Sequence, residues 1–370
     1  MYLKRFTKFL LRKGSFDYIL ISLRQWDGFF FPEGLIRNIP LKDINLSILE
    51  PILRKVLLIK PKKIIMGGPA LTIYEKGLKD IFSKYVDKFI YGRGELKLSN
   101  FLNLKKTTYE QPLLTNIDDY DEIGIPTHTK CGNRCIYCPY PSIEKKLNFY
   151  NISEIIKNLE FLNNKNIFFA DSVFNNNNHF VKKLLRLIIK KNISIKWRAY
   201  FNPIIDSELI NLLKKSNCQK VILSPDSFDP NVAKKLGKPF NPDITKKVIN
   251  NLLKNDINVT VNLINNHLWE NQKSLINDIS YVKKVKKKYD KFKFWLTPVR
   301  ITPKTPISRY LNINEKNLLN PIFFTDTKYY NEIVYSYREA FKKEGNPVKN
   351  QNYEKFFDIF SEILYKEINK

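Results

Sequence analysis

From Asp121 onward, short apolar runs of strand length alternate with stretches of helical spacing, and this alternation constrains the fold more than any other feature. Strands are expected at Glu122–Pro126, Asn166–Ala170, Ser194–Tyr200, Lys220–Leu223, Asn258–Leu263 and Lys293–Thr297. Helical patterns fall between them at Ile152–Leu162, His179–Lys191, Asp206–Lys215, Asp243–Asn255 and Ser274–Lys288. Alternation of this regularity implies parallel strands covered by helices, here an α/β barrel, partial or complete. Chemistry in such a barrel gathers on the loops at the strand C-terminal ends.

A shorter unit of the same kind precedes it. Asp17–Ser22, Lys63–Met66 and Val86–Tyr91 read as strands, with helical spacing at Ile48–Lys60 and Leu78–Tyr85. Three strands make a shortened Rossmann-like domain, since a complete doubly wound sheet has about five or six. The expected organisation is this domain over 1–105, a linker over 106–120 and the barrel over 121–310. A helical, aromatic segment over 311–370 follows and packs on the barrel or caps its mouth.

Composition removes several classes. A hydrophobic fraction of 43% can build a core, and no apolar run reaches the roughly 20 residues a membrane span needs. Lys8, Arg12 and Lys13 interrupt any signal-peptide core, so the expected location is the cytoplasm. The net charge of +27 attracts phosphate backbones in general. Lys far exceeds Arg, however, and Asn and Ile are abundant, a joint bias that an AT-rich coding sequence produces. Nucleic acid is therefore open as a partner and is not favoured over a solvated surface.

Chemistry concentrates in the loop after the first barrel strand, where Cys131, Cys135 and Cys138 are spaced C-x3-C-x2-C. Three thiolates on one short loop suit three irons of a cubane cluster and leave the fourth iron open to another ligand. A structural zinc site wants four protein ligands; His128 would complete one, so zinc stays the alternative. Cys218, far off at a helix–strand junction, reads as a small buried residue.

With Tyr137 as the aromatic before the last cysteine, the loop resembles the signature of the radical S-adenosylmethionine (SAM) superfamily. That resemblance implies a [4Fe–4S] cluster on Cys131, Cys135 and Cys138, with SAM chelating the open iron, and it makes Tyr137 a cofactor-binding candidate. Phe168–Asn175 is similar to the family's second-strand segment, which offers Asp171 and Ser172 to the methionyl amine; Asp171 also suits a helix N-cap. Lys196–Tyr200 is similar to the third strand, where Arg198 either contacts SAM or pairs structurally. Val221–Ser227 is similar to the fourth-strand motif, with Ser224 and Asp226 in place of the usual Gly and Glu. Asn262 sits where the fifth strand passes the adenine. In the family, one electron cleaves SAM to methionine and a 5′-deoxyadenosyl radical that abstracts hydrogen from substrate.

The N-terminal unit resembles that of the cobalamin-binding-domain radical SAM group. Gly67-Gly68-Pro69 follows one strand and Gly92-Arg93-Gly94-Glu95 the next, with Arg93 where that group usually has Glu. The unit starts late, and no Asp-x-His-x-x-Gly is present for cobalt ligation. Trp26, Asp27 and Phe29–Phe31 are candidates for an apolar floor under a corrin or substrate. The resemblance admits cobalamin as a further cofactor and does not require it.

The function expected on this resemblance is a radical SAM enzyme acting on a small molecule or peptide, its sharpest version cobalamin-dependent C-methylation. An electron donor such as flavodoxin or ferredoxin is then a partner. A tRNA-modifying radical SAM enzyme is the second reading; with no cysteine before Cys131, the methylthiotransferases are excluded. A metal-stabilised binding protein without SAM chemistry is the third.

Overall fold

The computed structural model describes residues 16–23, 50–104, 120–313 except 145, 266 and 271, and 322–323. The helical segment expected over 311–370 and the Trp26–Phe31 stretch fall almost wholly outside these residues. The chain divides into two compact units, one of Met1–Thr108 with Tyr137–Glu144 and Arg300–Phe323, the other of Tyr109–Ile136, Lys145–Val299 and Phe324–Lys370.

In the first unit, β1 (Tyr18–Ser22), β2 (Lys63–Gly67) and β3 (Lys88–Phe89) form a parallel sheet in that order. The strand expected over Val86–Tyr91 is cut to two residues, because only Lys88 and Phe89 find register partners, Ile65 and Met66. Central β2 buries Ile64, Ile65 and Met66, as a strand covered on both faces must. β10 (Arg300–Ile301) and β11 (Ile322–Phe323) form a small antiparallel pair in the same unit.

The second unit holds β4 (Glu122–Ile125), β5 (Asn166–Phe169), β6 (Lys196–Phe201), β7 (Cys218–Asp226), β8 (Asn258–Asn265) and β9 (Phe292–Pro298). They pair in sequence order, all parallel, into one six-stranded sheet whose edges, β4 and β9, do not pair with each other. This is the partial barrel that the alternation predicts. Helices Ile152–Phe161, Asn178–Lys190, Ser207–Lys215, Pro242–Lys254 and Gln272–Lys288 connect the strands. Four of them start on a side-chain cap, from Asn151, Asn177, Asp206 and Asn241, each accepting a first-turn N–H.

Strand alternation sets the two faces of this sheet apart. Trp197, Ala199 and Phe201 of β6, with Val221 and Leu223 of β7, are buried in one apolar core with the helices. Arg198, Tyr200, Lys220, Ile222 and Ser224 take the opposite face. Among the described residues, no helix is long and apolar enough to cross a membrane.

Candidate functional site

The cysteine loop leaves the C-terminal end of β4 and is held from the neighbouring strand end. Asp171, just past β5, accepts hydrogen bonds from Thr127 N (2.8 Å), Thr127 Oγ1 (2.7 Å) and His128 N (3.1 Å). Both carboxylate oxygens are thus spent on the base of the loop, and Ser172 beside it is exposed. Burial pushes the Asp171 carboxyl above the usual carboxylate range, while His128 and these bonds oppose the rise. His128 packs edge-on against Phe149, and its Nε2 lies 2.8 Å from Val173 O.

Around Cys131 the clamps are asparagines. Asn176 accepts from Gly132 N (3.1 Å) through Oδ1 and donates to Lys130 O (2.7 Å), gripping the backbone on both sides of the cysteine. Asn133 Nδ2 donates to Asn202 Oδ1 at the end of β6 (2.9 Å). Asn202 N donates to Asn175 Oδ1 (2.7 Å), and Asn175 Nδ2 returns a bond to Asn202 O (3.1 Å). A Cβ at Gly132 would stand 2.9 Å from Asn176 Oδ1, so the grip needs glycine there.

The loop meets a second backbone at Gly237. Ile136 N donates to Leu236 O (3.1 Å), and a Cβ on Gly237, whose φ is 81°, would lie 2.6 Å from Arg134 O. Glycine is required both for the left-handed conformation and for the approach. The next residue, Lys238, is buried and pairs with Asp226 at 2.7 Å. Its ammonium also bonds the Cys135 sulfur. Burial works to lower the Lys238 pKa, but Asp226 and Cys135 more than offset it and hold the ammonium charged.

All four cysteines are free; Cys135 is buried, while Cys131 and Cys138 are partly exposed. Burial pushes the Cys131 thiol up and Cys135 adds to the rise; the Asn133 N–H, Lys238 and Lys130 pull the other way. Cys218 belongs to the apolar core, where burial raises its thiol far above the usual range. Among the described residues, no three His, Cys, Asp or Glu side chains gather closely enough to enclose a metal ion. The donor set nonetheless suits an iron–sulfur cluster: three free sulfurs on one loop, one of them bonded by a buried ammonium.

Asp226 reaches Lys238 from the end of β7, where the strand register shifts and Asp226 takes a left-handed φ of 66°. Asp278 braces this turn, accepting from Ser227 Oγ (3.2 Å) and Phe228 N (2.5 Å). Burial pushes the Asp278 carboxyl up to about 7 against those bonds. Ser224 and Asn262 are brought together on adjacent strands, with Asn262 Nδ2 donating to Ser224 Oγ at 3.2 Å. Arg198 lies elsewhere. Of the two readings open for it, the structure shows the pair: its Nε donates to Glu122 Oε1 at 2.7 Å, its Nη2 bonds the other oxygen, and the guanidinium sits 4.4 Å from the Phe168 ring.

In the first unit, Thr302 Oγ1 donates to Tyr137 O at 3.5 Å. Thr72 ties the two glycine turns together: its hydroxyl accepts from Gly92 N (2.8 Å) and donates to Gly68 O (3.1 Å). Gly68 has φ 104°, and a Cβ there would fall 2.5 Å from Leu23 O. Arg93 pairs with Glu95 and Glu144, at 3.0 and 3.7 Å.

Sequence reasoning missed Lys238, Gly237 and the asparagine clamps. The run Asn175–Asn178, from the loop after β5 into the first residue of the next helix, was the available signal for the clamps. Lys238 is one of 63 Lys and Arg residues and carries no local mark of its burial.

Residues 125–282 match the model of the Radical SAM superfamily. No curated protein matches the chain by sequence. Among solved structures, TsrM from Kitasatospora setae, a radical S-adenosylmethionine methyltransferase, superposes with a TM-score of 0.67 at 15% identity, covering 83% of this chain and 67% of TsrM. OxsB, a cobalamin-dependent S-adenosylmethionine radical enzyme, superposes at 0.67 and 14% identity, over 98% of this chain and 65% of OxsB. This chain therefore spans about two thirds of the length of either, and at such identities the likeness establishes the fold. The matched residues take in most of the partial barrel and the cysteine loop at the C-terminal end of β4.

Proposed function

We propose that this chain is a radical SAM enzyme that binds a [4Fe–4S] cluster through Cys131, Cys135 and Cys138 and acts on a small molecule or peptide. The observation that carries this reading is the geometry around Cys135, where Gly237 brings a second backbone against the loop and buried Lys238 joins the Cys135 sulfur to Asp226. A bound cluster with SAM supplies a one-electron reductive cleavage of a C–S bond. The chain's own groups hold that chemistry in place. Asp171, Asn176 and Asn133 fix the loop; Lys238 joins Cys135 to Asp226; Ser224, Asp226 and Asn262 offer hydrogen bonds on β7 and β8, and Tyr137 and Ser172 would contact the cluster and the methionyl amine. Cofactors carry the reactivity, and the protein orients and excludes water.

Cobalamin-dependent methyl transfer is the sharpest form of the reading. TsrM has been solved with cobalamin and a [4Fe–4S] cluster, and OxsB with aqua-cobalamin. Thr72 fixes to each other the two glycine turns that resemble those of the cobalamin-binding group. Flavodoxin or ferredoxin is the class of electron donor, and a reducing cytoplasm suits four free thiols.

Anaerobic reconstitution with iron and sulfide, followed by SAM and a strong reductant, tests the reading. Formation of 5′-deoxyadenosine that disappears in Cys135→Ala supports it, and methyl transfer only with added cobalamin supports the sharper form. A protein that holds one zinc and leaves SAM intact overturns it.

A further inference from the structure

The side of the six-stranded sheet turned away from the apolar core carries an unbalanced charge. Along the N-terminal halves of β4, β6, β7 and β9 it presents Glu122, Lys196, Arg198, Lys220 and Lys293, four cations against one carboxylate. That carboxylate is already taken by Arg198. Arg198 and Lys220 are direct register partners on adjacent strands, and like charges placed so oppose folding. Among the described residues Lys220 and Lys293 make no ion pair. Lys220 is partly buried, and its pKa is lowered by burial and by the charges of Arg198 and Lys293, which outweigh the opposing charge of Glu122.

A protein with +27 overall has exposed helix faces to spare for lysines. Concentrating them on facing strands, where each raises the cost of the next, calls for a compensating anion. The same face changes character toward the cysteine loop, where Tyr200, Ser224 and Asn262 are neutral. From Ser224 down to Lys220 is four residues of strand, about 13 Å. A ligand lying along the sheet would place a neutral part near the strand C-terminal ends and a charged part on the lysines.

We infer that Lys220 and Lys293, with Arg198 beside them, form a subsite for an anionic oxygen group of the substrate, a carboxylate or a phosphate. The inference rests on the reading that this chain acts on a substrate and narrows that substrate to anions.

The test is thermal unfolding of the reconstituted full chain with pyrophosphate, ionic strength matched by sodium chloride. Wild type is expected to rise in melting temperature, because a ligand bound only to the native state stabilises it. Lys220→Gln/Lys293→Gln is expected to lose more than half of that rise. Lys183→Gln/Lys190→Gln, which removes two exposed helix charges, keeps the whole of it. An equal rise in both double variants, or none in wild type, overturns the subsite. Should the first double variant fail to fold, Lys293→Gln alone changes an exposed position, and an unchanged rise there also overturns the proposal. A wild type that cleaves SAM without responding to pyrophosphate removes the subsite alone; one that responds without cleaving SAM removes the radical reading alone.

Discussion

Lys238 and Asp226 form a buried ion pair of 2.7 Å, and the same ammonium touches the Cys135 sulfur. One cation thus links the end of β7 to the cysteine loop. Removing a partner from a buried pair costs far more than the pair contributes, since it strands a charge in a poor solvent.

Lys238→Met is therefore expected to destabilise the chain by about 3–5 kcal/mol, an effect of the uncompensated Asp226 carboxylate. Denaturant unfolding measures it. Adding Asp226→Asn should recover a large part of the loss, and a double variant no more stable than the single one contradicts the pairing account.

Gly237→Ala places a methyl against Arg134 O and a side chain at φ 81°. A destabilisation of about 1–3 kcal/mol is expected from the backbone alone. Iron content after reconstitution should fall more steeply than the melting temperature, because the displaced segment carries Cys135.

Thr72→Val leaves Gly92 N without its acceptor and takes the hydroxyl from Gly68 O, which keeps only the bond from Thr72 N. Loss of these buried bonds should cost about 1–3 kcal/mol, and Thr72→Ser, which keeps the hydroxyl, should restore most of it. Unfolding of the three variants side by side decides the matter.

Asp278 sets a pH dependence. Its carboxyl is pushed up to about 7 in the native state, first by burial, against the Phe228 N–H and Ser227 Oγ bonds, with Asp229 raising it and Lys246 lowering it. The unfolded chain loses this proton near pH 4, about the ordinary Asp value. The native state therefore holds more protons between those limits, and the contribution of this group to stability falls as pH rises from about 4 to 7. Asp278→Asn should flatten that decline, measurable as unfolding free energy at pH 5.5 and 7.5.

The barrel strands were legible to within two residues, except that β7 runs three residues past Leu223 to Asp226, because each carries apolar residues at every second position against helices of clear spacing. The strand over Val86–Tyr91 was overextended: its composition is strand-like throughout, but only Lys88 and Phe89 meet β2. Residue type located the cysteine loop, since thiols at fixed short spacing have few other uses. Asp171 was read as a ligand of the methionyl amine or a helix N-cap, but its partners are Thr127 and His128 in the loop, and Asn177 caps the helix that follows. Arg198 could not be assigned because its partner, Glu122, is 76 residues away in sequence. Lys238 was hidden for the same reason: burial is a property of the fold, and a lysine in a loop has no sequence mark of it.

The grip on Cys131 is made by Asn133, Asn175, Asn176 and Asn202, which are neutral amides. Amides do not titrate, and their short contacts are not screened as exposed ion pairs are. In a chain whose surface charge makes many of its encounters depend on salt, the backbone around Cys131 is held by groups that ignore it. Changes in ionic strength would alter what such a protein meets and leave the backbone around Cys131 as it was.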